Sequence, residues 1–264
     1  MKQPQDLRSF ESLQQILHML RSPEGCPWDR AQTHKSMRDS LLEETYEVLE
    51  ALDAEDTGRF CGELGDLLLQ IVFHAEIGAE AKEFNMGDVI EAINTKLIRR
   101  HPHVFSQSKF TSPAEVLHNW EEIKKTERGH DKSMLSGVPK QLPALSYSQE
   151  VQGRVARVGF DWKEDEGVLE KLGEEIAEYS SAPTLSEKEK EFGDILFTLA
   201  NYARRQGIDL ESALRGANKR FYSRFEHMEE LCRNTGKDIS KLSFTEQNEL
   251  WQAAKKKENG EKAD

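Results

Sequence analysis

The chain has 264 residues, of which 37% are hydrophobic and 32% charged, and its formal net charge at pH 7 is -12. Such a negative surface repels nucleic acid, whose binding depends on neutralising phosphates with Lys and Arg, so we predict no nucleic-acid partner. No stretch is long and apolar enough to cross a bilayer, and the three widely spaced cysteines (Cys26, Cys61 and Cys232) form no CxxC pair, so we predict a cytoplasmic protein without a membrane partner.

The first half of the chain carries the helical spacing of apolar residues. In residues 6–22 these recur every three or four positions, which predicts an amphipathic helix before a break at 23–27. Asp88 with Glu91, and later Ser112, are predicted helix caps. Further helices are predicted at positions 35–53, 58–83, 88–100 and 113–127.

The second half follows a segment rich in glycine and proline, residues 131–145, which is predicted to be a linker. Thr184 with Glu187, and Ser243 with Glu246, have the spacing of capping boxes. No alternating strand pattern is found, so the predicted fold class is all-α. Helices are predicted at positions 143–157, 165–181, 185–206, 209–234 and 244–257.

Three sequence blocks occur twice and in the same order. This order predicts two tandem copies of one helical-bundle unit, residues 1–130 and 146–264, joined by the linker. The first pair of blocks is LEETYE at 42–47 and GEEIAE at 173–178, and the second is ELGDLL at 63–68 and EFGDIL at 191–196. The third pair is NTK at 94–96 and NKR at 218–220. Arg100 follows the first of these two blocks, and Arg224 follows the second.

The repeated blocks place acids three residues apart on helices, so each pair shares one helical face. An acidic face of this kind is usually only solvated. Here, however, the second pair of each copy borders an apolar stripe that must pack, and the preceding acidic helix is the nearest partner. The pairs are Glu44 with Glu47, Glu63 with Asp66, Glu175 with Glu178, and Glu191 with Asp194.

Packing each pair of helices as a hairpin would bring four carboxylates together. Two unit charges about 4 Å apart repel by roughly 4 kcal/mol at an effective dielectric near 20, so a cation is needed there. Oxygen ligands favour Mg²⁺ or Mn²⁺ over zinc. Gly65 and Gly193, inside the second motif of each copy, would let either a helix or a ligand approach closely, and the sequence does not decide between these two interpretations.

Other residues have two interpretations. Lys171, Asn218, Arg220 and Arg224 could contact phosphate oxygens, or they could be ordinary surface residues. Three aromatic residues could stack on a base or pack in the core: Phe160, Trp162 and Trp251.

With these residues assembled, the chain resembles MazG, a family of nucleoside triphosphate pyrophosphohydrolases, over nearly its whole length. The family signature EExxE followed by ExxD is present twice, at Glu43 to Asp66 and at Glu174 to Asp194. Further strings that resemble the family are CPWD at 26–29, RRHPHVF at 99–105 and VGFDW at 158–162.

The resemblance implies an all-α homodimer that binds and hydrolyses NTPs or dNTPs, including ATP and aberrant nucleotides, with Mg²⁺ (Mn²⁺ is an alternative). It also implies that the carboxy-terminal unit is the competent one. The resemblance assigns metal ligation to Glu175, Glu178, Glu191 and Asp194, and base catalysis to Glu174 or Glu175. It assigns substrate contacts to Lys171, Glu174, Lys190, Asp194, Asn218, Arg220, Arg224, Trp251 and Lys255.

The chain departs from the family pattern at position 220, where Arg replaces the expected Lys, and in the short gap of twelve residues between Glu178 and Glu191. Both departures affect the shape and hydrogen-bond geometry of the pocket. The amino-terminal unit keeps its own candidate set: Glu44, Glu47, Glu63, Asp66, Asn94, Lys96 and Arg100.

We predict that water attacks a phosphorus of the triphosphate, the α-phosphorus in this interpretation, and that pyrophosphate leaves as metal and acids stabilise the developing charge. Two alternatives stay open. One is a related helical hydrolase with a single dedicated nucleotide, as in enzymes of the dUTPase or phosphoribosyl-ATP pyrophosphohydrolase type. The other is a helical scaffold protein without enzyme activity.

Overall fold

The computed structural model describes residues 3–106, 112, 115–116, 119–120, 123, 126–127, 133–258 and 260. Across these residues every regular element is a helix and no strand is found, which confirms the all-α prediction. By its internal contacts the chain divides into unit 1, residues 1–127, and unit 2, residues 128–264. Of the helices described, none combines the length and apolar character that a membrane span requires.

Unit 1 is a helical bundle built around a helical hairpin. Its described helices are α1 (Phe10–Arg21), α2 (Pro27–Ala31), α3 (Arg38–Asp53), α4 (Thr57–Ala81), α5 (Met86–Arg100) and α6 (Pro102–Phe105). α3 and α4 form the hairpin, and α1 packs on α4. The buried core consists of Leu17, Met37, Val72 and Phe73. Because α4 contributes Val72 and Phe73 to this core, its orientation and that of its acidic residues are fixed.

A buried arginine ties three parts of unit 1 together. Arg21, at the end of α1, donates two hydrogen bonds to Glu80 of α4, at 2.8 and 2.7 Å, and its guanidinium lies 5.1 Å from the centre of the Phe73 ring. It also donates to the backbone oxygen of Asp29 in α2. The bidentate pair joins α1 to α4. The hydrogen bond to Asp29 anchors the short α2 segment, which the apolar spacing alone does not predict.

A stacked histidine pair joins α4 to the loop before α3. The Nδ1 atoms of His34 and His74 lie 2.7 Å apart, and the ring planes are within 8° of each other. Burial, and then the neighbouring His34, lower the pKa of His74. Because the unfolded chain then binds this proton more readily than the folded one, stability is complete above the ordinary histidine value of about 6.5 and is lost as the pH falls below it.

We therefore expect the thermal unfolding midpoint to be lower by a few degrees at about pH 5.5 than at about pH 8, and His74→Phe to reduce this difference. Circular dichroism at both pH values measures it, with His227→Phe in unit 2 as the control. An unchanged pH dependence in His74→Phe would contradict the role of this pair.

Unit 2 is also helical. Its described helices are α7 (Ala144–Ala156), α8 (Asp165–Ser181), α9 (Leu185–Arg205), α10 (Leu210–Asn234), a 3-10 turn (Ile239–Lys241) and α11 (Phe244–Glu258). α8 and α9 form a hairpin, α7 packs on α9, and α11 packs on α10. Val168, Ala200 and Ala203 are buried on α8 and α9. Met228, Cys232 and Ala254 are buried on α10 and α11.

The helix starts follow the capping residues. Thr184 and Glu187 form the predicted capping box of α9, and Ser243 and Glu246 exchange the hydrogen bonds of the second box. The prediction that Asp88 with Glu91 caps a helix was wrong: Asn85 is the cap of α5, and Asp88 is its capping-box partner three residues later. The Asn side chain provides the acceptor that the first amide groups need, so the helix starts earlier.

Another predicted helix start was wrong, and two short helices were missed. α1 begins at Phe10 rather than residue 6, because Ser9 accepts a hydrogen bond from the amide of Ser12 and Leu7 is 67% exposed. The short α2 and α6, each starting with a proline, were not predicted, since so few residues show no periodicity. The predicted helix 113–127 lies largely outside the described residues.

Candidate active site

The α8–α9 hairpin positions the acids of unit 2. Glu175 and Glu178 stand one turn apart on α8, and Glu191 and Asp194 stand one turn apart on α9. The buried side chain of Val168 on α8 and the buried Ala200 on α9 mark the faces that lie inside the unit. The acids therefore lie where these two helices pack against each other.

Three of these four acids converge. One carboxylate oxygen from each of Glu175, Glu178 and Glu191 lies within 4.8 Å of the others. Glu175 is only 5% exposed, whereas Glu178 is exposed and Glu191 half-buried. Asp194, one turn further along α9, is not a member of this compact group. The three converging acids are called the unit 2 triad below.

Crowding of like charges affects the triad. Loss of hydration, and then the charges of Glu175 and Glu191, raise the pKa of Glu178. Two lysines oppose this repulsion. The Nζ atom of Lys171 lies 2.7 Å from Oε1 of Glu174 and 2.8 Å from Oε1 of Glu175, and Lys190 lies 3.1 Å from Glu191. The hydrogen bond to Glu174, followed by that to Glu175, raises the pKa of Lys171.

Unit 1 carries a corresponding group. Oxygens of Glu44 on α3 and of Glu63 and Asp66 on α4 lie within 4.8 Å of one another, and we call these residues the unit 1 triad. Glu47 is not part of it. Desolvation, and then the charge of Asp66, raise the pKa of Glu44. Each hairpin thus brings three of its four predicted acids together.

An arginine that the sequence interpretation left out contacts the unit 1 triad. Arg59 donates to Glu63 at 3.0 Å and to Glu50 at 2.7 Å. These contacts raise the pKa of Arg59. The spacing of four residues between Arg59 and Glu63, typical of ion pairs on a helix, is the signal that would have identified it.

The predicted substrate-contacting residues of α10 and α11 are only partly assembled. Arg224 donates to Glu258 at 2.5 Å, and its guanidinium lies 5.4 Å from the centre of the Trp251 ring. Trp251 also packs on Phe221, at 5.3 Å between ring centres. Asn218 and Arg220 are exposed, and Lys255 is half-buried. Among the described contacts, none joins these residues to the unit 2 triad.

The corresponding residues of unit 1 are exposed or paired elsewhere. Asn94 and Lys96 are exposed on α5. Arg100 pairs with Glu127, with its Nη2 atom 2.5 Å from Oε2.

The aromatic turn before α8 is held by ion pairs. Asp161 accepts from Arg204 at 2.6 Å, and Asp165 accepts from Arg205 at the same distance. Phe160 is 79% exposed, so the alternative that it packs in the core was wrong. Trp162 lies over Gly167, where a Cβ would be 2.5 Å from its ring, so any side chain at 167 would displace it.

The two glycines in the acidic motifs do not serve close packing inside a unit. A Cβ atom at Gly65 or Gly193 would meet no atom of the described residues within 4 Å. Because no other helix within the described residues approaches there, helix packing in that part of the chain does not explain these glycines. The space beside them is open to a ligand or a second chain.

Comparisons with known proteins agree on one family. The MazG nucleotide pyrophosphohydrolase domain matches residues 32–105, which include the unit 1 triad. The Thermotoga maritima nucleoside triphosphate pyrophosphohydrolase/pyrophosphatase MazG is 47% identical over 247 residues, covering 93% of this chain and 95% of that protein. The Escherichia coli (strain K12) nucleoside triphosphate pyrophosphohydrolase is 41% identical over 260 residues, covering 96% and 99%.

Proposed function

Since this chain belongs to the MazG family of nucleoside triphosphate pyrophosphohydrolases, we propose that it hydrolyses nucleoside triphosphates to a nucleoside monophosphate and pyrophosphate at the unit 2 triad. The observation that carries this proposal is the convergence of Glu175, Glu178 and Glu191, with two lysines beside them. A triphosphate needs both features, because its charge must be neutralised before water can attack a phosphorus.

The triad suits Mg²⁺. It offers carboxylate oxygens alone, and hard cations such as Mg²⁺ and Mn²⁺ prefer oxygen ligands. Loss of hydration, and then the neighbouring charges of Glu175 and Glu191, raise the pKa of Glu178, so a bound cation would stabilise its charged form. We propose Glu175, Glu178 and Glu191 as ligands, with Asp194 one turn away completing the set. A bound cation would neutralise phosphate oxygens and orient them.

The residues of the chain supply the remaining roles. Lys171 and Lys190 lie close enough to the triad to contact a phosphate that reaches it, and Glu174 or Glu175 is the proton acceptor for the attacking water. We assign Asn218, Arg220, Arg224 and Lys255 to the phosphate chain and Trp251 to the base. Arg224 contacts the Trp251 ring, so a residue assigned to phosphate lies beside the residue assigned to the base, which supports these two assignments.

The unit 1 triad is the second candidate site, because the family domain matches that part of the chain. Its proposed members are Glu44, Glu63 and Asp66, with Glu47, Asn94, Lys96 and Arg100 around them. We rank it behind unit 2 because Lys171 and Lys190 pair with members of the unit 2 triad, whereas no described lysine pairs with the unit 1 triad. We also propose that residues 1–130 and 146–264 are tandem copies joined by a linker at 131–145.

A homodimer is the proposed assembly. α9 exposes an apolar stripe of Phe192, Leu196 and Leu199, which are 52%, 42% and 37% exposed. α4 exposes a stripe at the same spacing, formed by Leu64, Leu68 and Ile71. Contiguous apolar surface of this kind is typical of protein interfaces.

The three cysteines are free, which supports the proposed cytoplasmic location.

We expect the full-length protein to release pyrophosphate from several NTPs and dNTPs with Mg²⁺. EDTA should remove at least about 99% of the rate, because without a cation the triphosphate is repelled by the triad carboxylates. Excess Mg²⁺ or Mn²⁺ should restore it. A coupled pyrophosphate assay over a panel that includes dUTP and a phosphoribosyl nucleotide measures this.

Each alternative predicts a different result of the same assay. Turnover of one nucleotide about 100-fold above all others would support an enzyme with a dedicated substrate. No pyrophosphate from any nucleotide at any metal concentration would contradict the proposed hydrolase and favour a scaffold protein.

A further inference from the structure

We propose that Lys171 competes with the divalent cation for Glu175 in the nucleotide-free enzyme, so that unit 2 takes up metal together with nucleotide rather than metal alone. This inference rests on the proposed function of the unit 2 triad and concerns its order of assembly. Its starting point is the position of the Lys171 Nζ atom, 2.8 Å from Oε1 of Glu175 and 2.7 Å from Oε1 of Glu174.

The local geometry makes this pairing a property of α8. Lys171 stands three residues before Glu174 and four before Glu175, the two spacings at which helical side chains meet. Glu175 is the most buried member of the triad, at 5% exposed. The carboxylate that water reaches least is therefore the one that the ammonium group already satisfies.

A second lysine extends the effect. Lys190 pairs with Glu191 at 3.1 Å, so two of the three triad carboxylates carry an ammonium partner when no metal is bound. Only Glu178 lacks such a partner among the described ion pairs.

The unit 1 triad shows that such pairing does not follow from acidic residues alone. The position four residues before Glu44 is Ser40, which carries no charge. Arg59 contacts Glu63, but no lysine or arginine of the described part of the chain pairs with Glu44 or Asp66. The lysine pairing is therefore particular to unit 2.

The consequence is a coupling between metal and nucleotide. A free cation that binds Glu175 competes with the ammonium group for this carboxylate and leaves that group with Glu174 as its described partner. A cation that arrives on a triphosphate brings phosphate oxygens that can accept the displaced ammonium group. Because binding energies are linked, metal then strengthens nucleotide binding by the factor by which nucleotide strengthens metal binding.

The test is a titration of the protein with Mn²⁺ in the absence of nucleotide. Electron paramagnetic resonance measures the free Mn²⁺ at each point. The full-length parent carries Glu44→Gln and Asp66→Asn, so that unit 1 does not contribute to the signal. We expect Lys171→Met in this parent to bind Mn²⁺ about tenfold more tightly, a change of about 1.4 kcal/mol. Lys171→Arg keeps the charge and should bind Mn²⁺ as the parent does.

Lys188→Met is the matched control. Lys188 lies on α9 over the Tyr179 ring, 5.8 Å from its centre, and its removal should leave Mn²⁺ affinity unchanged. The inference would be overturned if Lys171→Met bound Mn²⁺ no more tightly than the parent. It would also be overturned if Lys171→Arg bound Mn²⁺ as tightly as Lys171→Met. If the wild-type chain meanwhile releases pyrophosphate, only the inference fails, whereas the absence of pyrophosphate release is a failure of the proposed function itself.

Discussion

Glu175→Gln should lower the rate of pyrophosphate release by about 10³-fold, the loss expected when one group that organises transition-state charge is removed. Glu175 is the buried member of the unit 2 triad, lies within 4.8 Å of Glu178 and Glu191, and accepts from Lys171. Glutamine keeps the shape of the side chain but removes the charge that a cation requires. Steady-state kinetics with saturating Mg²⁺ measures the loss.

Glu44→Gln is the matched control, since Glu44 holds the corresponding position in unit 1. It should retain most of the activity if unit 2 is the competent one. Circular dichroism should show both variants folded. A large loss in Glu44→Gln with normal turnover in Glu175→Gln would move the active site to unit 1.

If the proposed homodimer forms through the α9 stripe, Leu196→Glu should convert it to a monomer, with association weakened by at least about 100-fold. Leu196 is 42% exposed in the middle of the α9 stripe, between Phe192 and Leu199. A two-fold interface would bring the stripe of each chain against the other, so the new carboxylates would be buried without partners. Analytical ultracentrifugation over a concentration series measures the change in mass.

Ser186→Glu, an exposed position in the first turn of the same helix, is the control and should stay dimeric. Wild-type protein that sediments as a monomer, or Leu196→Glu that sediments as a dimer, would exclude this stripe as the interface.

The acidic hairpins were predictable because two periodic signals coincide in them. Asp66 and Asp194 each follow a glycine within an apolar run, so their helices had to pack beside the preceding acids, and the observed triads agree with that reasoning. The separation of Glu47 and Asp194 from the triads was not predictable. Packed helices cross at an angle, so positions one turn from the crossing diverge, and sequence spacing does not give that angle.

The partners of the arginines depend on tertiary structure. Arg224 and Glu258 are separated by 34 residues, and Arg21 and Glu80 by 59. Nothing local distinguishes these arginines from surface residues, because what selects the partner is the packing of α10 on α11 or of α1 on α4. Short-range pairs such as Lys171 with Glu175, in contrast, can be read directly from spacing.

The helix starts show how local chemistry and periodicity compete. Thr184 with Glu187 was predictable because both hydrogen-bonding partners are three residues apart in sequence. At α5 two acids, Asp88 and Glu91, had the right spacing, but Asn85 provided an earlier cap. Apolar periodicity does not mark the first turn, since at α1 it extends back to Leu7, before the helix begins at Phe10.

The most direct test of the central proposal is a crystal structure of the full-length protein with Mn²⁺ and a non-hydrolysable triphosphate analogue. We predict an anomalous peak for a Mn²⁺ ion bound by Glu175, Glu178 and Glu191. The phosphates of the analogue should bind the same ion, and Lys171 should contact these phosphates. A triphosphate bound away from α8 and α9, with these three carboxylates free of metal, would contradict the account.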